Sequence, residues 1–269
     1  MILHGAHAFG SVSALIALIA YALAAFLSRR LSFSGSRKIL ILACASHGLS
    51  VFASLISTDG APQFGFAPAL SATAWMVVLV YLLEYRWYPQ LKTRWGMYVL
   101  GGVALLLAVL FPGQPLHVNA SPWLPLHWVL GMASYGLFGA AVIHAWLMNR
   151  AEQEIRMAAE NPTGLPLLTL ERLTFRFIIS GFVLLTATLL AGFIFGEVLY
   201  DAQHSFKWDH KTVFSTMAWI TFAILLWGRW RNGWRGRQAS RFLYLGALLL
   251  LLSYAGSRFV MEVILDRAS

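Results

Sequence analysis

Eight apolar runs, each near the length of a membrane span, set the architecture of this chain before any single residue is considered. A hydrocarbon layer about 30 Å thick takes roughly 20 helical residues at about 1.5 Å of rise each. The runs cover approximately residues 5–27, 39–57, 66–85, 97–111, 127–149, 177–199, 212–230 and 242–264, the fourth being short. In lipid every backbone polar group has to be satisfied internally, so runs of this length form helices. A soluble domain is excluded, because 59% of the 269 residues are hydrophobic and only 12% are charged. The expectation is all-α: a polytopic membrane protein of eight transmembrane helices, forming one integral membrane domain over residues 1–269.

Charge gives that bundle an orientation. Of the 20 Lys and Arg, 16 fall in four alternate connections. Segment 28–38 holds Arg29, Arg30, Arg37 and Lys38, and segment 86–96 holds Arg86, Lys92 and Arg94. Segment 150–176 holds Arg150, Arg156, Arg172 and Arg176, and segment 229–241 holds Arg229, Arg231, Arg235, Arg237 and Arg241. The positive-inside rule places these four loops in the cytoplasm and both termini outside. The start MILHGAHAFG has no Lys or Arg, so it is expected to lead into a retained helix rather than a cleaved signal. The net charge of +9 is topological: arginines spread over short loops at helix ends meet anionic lipid headgroups, not nucleic acid.

Several chemistries drop out. The single cysteine, Cys44, rules out an internal disulfide or a C-x-x-C redox pair. There is no phosphate-binding glycine loop and no internal repeat of the kind that marks many secondary transporters. Glu84, Glu197 and Glu262 lie near helix ends rather than as a paired carboxylate site, and Arg258 with Glu262 forms an i, i+4 ion pair. The segment RAEQEIRMAAENPTGLPLLTLERLTFR, residues 150–176, reads as a connector on the inner surface with an amphipathic approach to the sixth helix.

Histidine placement is asymmetric. His4, His7, His117, His127, His204 and His210 fall in outer loops or at outer helix ends, and none falls in a cytoplasmic loop. Imidazole ligates haem iron, zinc or copper, so a converging outer group is a candidate site, while interfacial histidines taken singly are also simply tolerated. His47 and His144 lie within helices, where a polar side chain needs a partner. For His47 a haem ligand and an interhelical hydrogen bond are both open. His127 and His144 are 17 residues apart on one helix, about 25 Å along its axis, and cannot share one iron.

Trp208, Trp219 and Trp230 are spaced by eleven residues, which returns to nearly the same helix face. The outer two are about 33 Å apart by helical rise and match the two interfacial belts. Trp219 lies mid-span, where a belt does not account for it; a flat indole wall beside a planar macrocycle is one reading. Asp209 and Lys211 mark the start of that helix, the carboxylate favourably placed near its N-terminal dipole.

The stretch WDHKTVFSTMAWITFAILLWGRW, then GWRGRQA, then GALLLLLSYAGSRFV resembles the C-terminal part of the CcsA-type cytochrome c assembly proteins, an integral membrane family that handles haem. PLHWVLGMASYGLFGAA at 125–141, LPLLTLERLTFR at 165–176 and LLWGRWRNGWRGR at 225–237 extend the likeness over nearly the whole chain, towards the shorter, YpjD-like inner-membrane branch. The resemblance implies haem at the outer face of the bacterial inner membrane, held by histidines and a tryptophan-rich segment. It carries haem iron ligation to His127 outside and His47 within the membrane. It also assigns the end of the tryptophan-rich motif to Trp208, Asp209 and Lys211, with His210 standing where the family has proline.

Three departures qualify this. The front of the motif reads YDAQHSF, the second intramembrane histidine falls at Trp227, and the second external histidine has no counterpart in the ending VILDRAS. His204 or His210 is the natural substitute outside, and His144 within the membrane. The expected protein is non-enzymatic, binds haem, and works with lipid and with cytochrome c biogenesis or haem-synthesis proteins. Two other classes stand beside it: a regulatory or scaffold protein that has lost haem binding, and a metal-ion or small-molecule transporter.

Overall fold

The computed structural model describes residues 3–27, 33–55, 63–88, 94–115, 124–157, 165–194, 210–256 and 259. The chain is all-α and polytopic. Among the described residues the helices are α1 (Leu3–Leu27), α2 (Phe33–Leu55), α3 (Phe66–Trp87), α4 (Arg94–Leu110), α5 (Leu124–Arg156), α6 (Leu167–Ile194), α7 (His210–Asn232) and α8 (Gly236–Leu251). A π-helical turn, Leu252–Gly256, continues α8. Seven of these helices, counting α8 with its π-helical continuation to Gly256, are long and apolar enough to cross a membrane, and α4, with 17 residues, is shorter. A two-residue antiparallel bridge pairs Gln63 with Pro115 and Phe64 with Gln114.

The connector expected at 150–176 is mostly helix. α5 runs on to Arg156, carried by ion pairs at i, i+4 between Arg150 and Glu154 (3.0 Å) and between Glu152 and Arg156 (2.5 Å), each adding a few tenths of a kcal/mol, ~0.3–0.5. α6 starts ten residues before the expected 177, at Leu167. The Pro166 carbonyl accepts from the Thr169 and Leu170 amides at 2.9 and 3.2 Å, and proline's fixed φ suits a helix start. Leu170, Leu173, Thr174, Ile178, Gly181 and Leu185 are buried at helical spacing, so the early turns of α6 belong to the packed stripe. Apolar runs locate what lipid covers; they miss turns that charged side chains extend beyond it.

The α7–α8 connection is a tight corner. Gly233 and Gly236 have φ of +65° and +53°, the left-handed region in which glycine carries no Cβ penalty. The Trp234 amide donates to the Gly228 carbonyl at 3.2 Å, and its indole lies where a Cβ on Gly228 would sit, 2.4 Å from the nearest ring atoms.

Contacts divide the chain into two compact units, residues 1–83, 93–118 and 258–269 forming the first, and 84–92 with 119–257 the second. In the first, Tyr21, Tyr98 and Leu105 are fully buried among small residues of α1 and α2 such as Ala17, Ala24 and Ala43, the small-residue packing that brings membrane helices close. The second is centred on Phe138 and Phe222, stacked with centroids 3.8 Å apart and planes 8° apart, with Ile178, Leu225, Leu243 and Leu250 around them.

Candidate functional site

One end of the second unit gathers the chemistry singled out above. α5 and α7 begin there, and α6 and α8 finish there. His127 sits in the first turn of α5, half-buried. A Cβ placed on Gly192 of α6 would lie 3.6 Å from its Cε1, so α6 passes the imidazole at close range without a side chain in between. From α7, the Lys211 ammonium acts on His127 electrostatically and lies 5.6 Å from the centre of the Tyr254 ring. Tyr254 belongs to the π-helical turn, whose neighbour Ser253 donates to the Lys211 carbonyl at 2.9 Å. π-bulges recur where a helix is re-aimed for function; this one sets an aromatic ring under a cation beside a histidine. His210 is exposed on the first turn of α7. His204, Trp208 and Asp209 lie outside the described residues, as do His117, Glu197, Glu262 and Arg258; His4 and His7 fall in the opening turns of α1. Lys211 and Tyr254 were legible as parts of the resemblance, in WDHK and in the final-helix stretch SYAG, whereas Gly192 had no local signal.

His47 is in the first unit and is wholly enclosed, with 0% exposure. Its Nδ1 lies 3.2 Å from the Tyr21 hydroxyl and its Nε2 2.8 Å from the Ser71 hydroxyl. Tyr21 stands edge-on at a centroid distance of 5.8 Å. Both ring nitrogens are therefore engaged, and iron reaches neither without displacing a hydroxyl. Nearby, the Trp75 indole donates to the Cys44 carbonyl at 2.9 Å, and Cys44 is buried and free.

His144, in the second unit, is also buried. Its Nδ1 is 2.9 Å from the Ala140 carbonyl, and its Nε2 is 3.1 Å from Glu84 Oε2. Glu84 does stand in the last turn of α3, as expected, but it is 5% exposed and paired, not a solvated helix-end carboxylate. The available signal was an acid inside the apolar run YLLEYRW. With the carboxylate in place His144 offers iron no open nitrogen.

Trp219 is half-buried against α6, donating from Nε1 to Thr186 Oγ1 at 2.8 Å and stacking on Phe182 at 5.4 Å. Its mid-span position thus has a packing partner. Trp227, where the family pattern has a histidine, is 63% exposed on the bundle surface, as Trp230 is at 76%. Among the described residues no group of three or more His, Cys, Asp or Glu side chains converges as a metal site.

A helical membrane protein with an imidazole at one helix end, flanked by a cation and an aromatic ring, is thus the class that fold and site define. The family described as Cytochrome C assembly protein matches residues 36–265, and the chain belongs to that family. Inner membrane protein YpjD of Escherichia coli is 32% identical over 171 residues, covering 62% of this chain and 64% of that protein. Cytochrome c biogenesis protein CcsA of Prochlorococcus marinus is 27% identical over 177 residues, covering 64% of this chain and 52% of that protein. The matches thus span a little under two thirds and about half of these relatives.

Proposed function

We propose that this protein is a non-enzymatic haem-handling component of cytochrome c assembly, holding haem at the outer face of the bacterial inner membrane with His127 as an iron ligand. The observation that carries the reading is the half-buried His127 at the start of α5, beside the side-chain-free Gly192 and within electrostatic reach of Lys211. That donor set suits haem: an imidazole for iron, a cation for carboxylates and an aromatic ring against the macrocycle. Bound there, haem supplies the redox-active iron, while the chain's own residues hold and orient it. The arginine-rich α7–α8 corner lies at the opposite end of these helices, and by the positive-inside rule this supports an outer position for His127. His204 or His210 serves as the second ligand. Family membership and the inner-membrane relative support the location, and proteins of cytochrome c biogenesis or haem synthesis are the implied partners.

A second reading, a scaffold that kept the fold and lost haem, has its own observations: the hydrogen bonds on both nitrogens of His47 and the exposed Trp227. One experiment separates the two. Detergent-purified protein from cells supplied with haem precursor is expected to show a Soret band and, after dithionite, sharp α and β bands, with the spectrum lost in His127→Ala and retained in His47→Gln. A colourless preparation that stays colourless after haem addition supports the scaffold instead.

A further inference from the structure

The haem reading leaves one buried acid–base pair unused. Glu84 and His144 are 5% and 4% exposed and meet at 3.1 Å between Oε2 and Nε2. The opposite ring nitrogen settles the hydrogens. Nδ1 lies 2.9 Å from the Ala140 carbonyl, and a carbonyl oxygen only accepts, so Nδ1 carries a hydrogen. Nε2 is then either bare and accepting from a neutral carboxylic acid, or protonated and facing a carboxylate. In both arrangements the pair holds one exchangeable proton and is neutral. A bare Nε2 against an ionised carboxylate would oppose lone pairs and bury a net charge, and an imidazolium beside a carboxylic acid would also bury one.

Among the described residues, no further charged group acts on His144. From α6 the pair meets the Phe177 ring, 5.3 Å from the imidazole. Glu84 and the Ala140 carbonyl are the groups that act electrostatically on His144. On α3 the neighbouring titratable side chains are the buried Tyr81 and Tyr85. The carboxylate of α6, Glu171, is held by Arg229 and Arg235. Ionisable groups within a membrane bundle mark proton or ion sites when they are paired and face the interior.

We propose that Glu84 and His144 form a proton-exchange site whose ligand is a single proton. Gain of a proton from water leaves a carboxylic acid beside an imidazolium, and loss to water leaves a carboxylate beside a neutral imidazole. The pair thus compensates a charge that enters or leaves the bundle, independently of whether haem is bound.

The test uses the full-length protein in lipid nanodiscs, with ¹⁵N-labelled histidine followed by NMR and the carboxyl stretch of Glu84 followed by infrared spectroscopy, assigned with Glu84→Gln and His144→Gln. Nδ1 of His144 is expected to be protonated throughout. As pH changes, the imidazole signal is expected to move in one single-proton step, with the carboxyl signal following it. Glu84→Gln should abolish that step and hold His144 as the neutral Nδ1–H form, with any haem spectrum unchanged. If Glu84→Gln does not fold, loss of the coupled carboxyl signal in His144→Gln decides the same point. Signals that do not move with pH, imidazole and carboxyl signals that move independently of each other, or a bare Nδ1 overturn the proposal. None of these readouts depends on haem, so its failure is distinguishable from failure of the haem reading.

Discussion

Gly246→Ala is expected to loosen the second unit by pressing on its central ring stack. A Cβ at this position would lie 2.6 Å from Cε1 and Cζ of Phe222, whereas carbon contacts settle near about 3.5–4.0 Å, so the ring has to retreat by about 1 Å. Phe222 has no exposed surface and is stacked on Phe138 at 3.8 Å. Phe138 in turn fills the space over Gly181, where a Cβ would meet its ring at 3.2 Å. A displacement entering from α8 therefore passes through two rings towards α6, and no flexible side-chain end is there to absorb it. Overpacking of this kind costs about 1–3 kcal/mol. For a chain of this size that lowers the midpoint of thermal unfolding by roughly 2–4 °C per kcal/mol, measured by tryptophan fluorescence in detergent. Phe222→Leu in the same chain makes room, so the double variant should recover part of the loss, with a coupling of about 0.5–3 kcal/mol. An unchanged midpoint for Gly246→Ala, or strict additivity in the double variant, refutes the reasoning.

Glu171→Ala strips the partner from Arg229 (2.6 Å) and Arg235 (3.2 Å). The carboxylate is mostly buried but both arginines reach solvent, so the cost should be about 1–2 kcal/mol, below that of a fully buried pair; Arg235→Gln alone should change the unfolding midpoint little. Trp219→Phe keeps the ring beside Phe182 and removes the hydrogen bond to Thr186, and a double-mutant cycle with Thr186→Val should give a coupling of about 0.6 kcal/mol. Ser71→Ala and Tyr21→Phe should each cost about 0.6–1.7 kcal/mol through His47 without creating a haem spectrum; appearance of a new ligated-haem band in either would reverse the structural assignment of His47. Cys44, 4% exposed, should resist a membrane-permeant maleimide in the folded protein and label fully after denaturation, as read by mass spectrometry.

The spans were legible because lipid imposes a length and a hydropathy that sequence carries directly, and α1, α3 and α7 fall within a few residues of their expected bounds. The helix ends were not legible where polar side chains decide them. α5 continues on paired charges, α6 begins on Pro166, and α8 starts at Gly236, six residues before the expected 242, because Gly233 and Gly236 turn the chain so sharply after Asn232. The corner's glycines and arginines were visible as residues, but its closure rests on Trp234 lying against Gly228.

The histidines show why the site was harder to read than the fold. An intramembrane histidine needs a partner, and sequence flags the need without naming what meets it: Tyr21 and Ser71 are 26 and 24 residues from His47, and Glu84 is 60 residues from His144. Once those partners are in place, His47, His144 and His127 separate by what their nitrogens meet. His47 has both occupied by neutral hydroxyls, an arrangement that neither imports a charge nor leaves a ligand position. His144 has one nitrogen on a backbone carbonyl and one on a carboxylate, which leaves it a proton to exchange and no lone pair to give to iron. His127 stands at a helix end beside Gly192 and within electrostatic reach of Lys211, which itself lies against the Tyr254 ring. What each nitrogen meets, rather than how deeply the ring is buried, is what separates them.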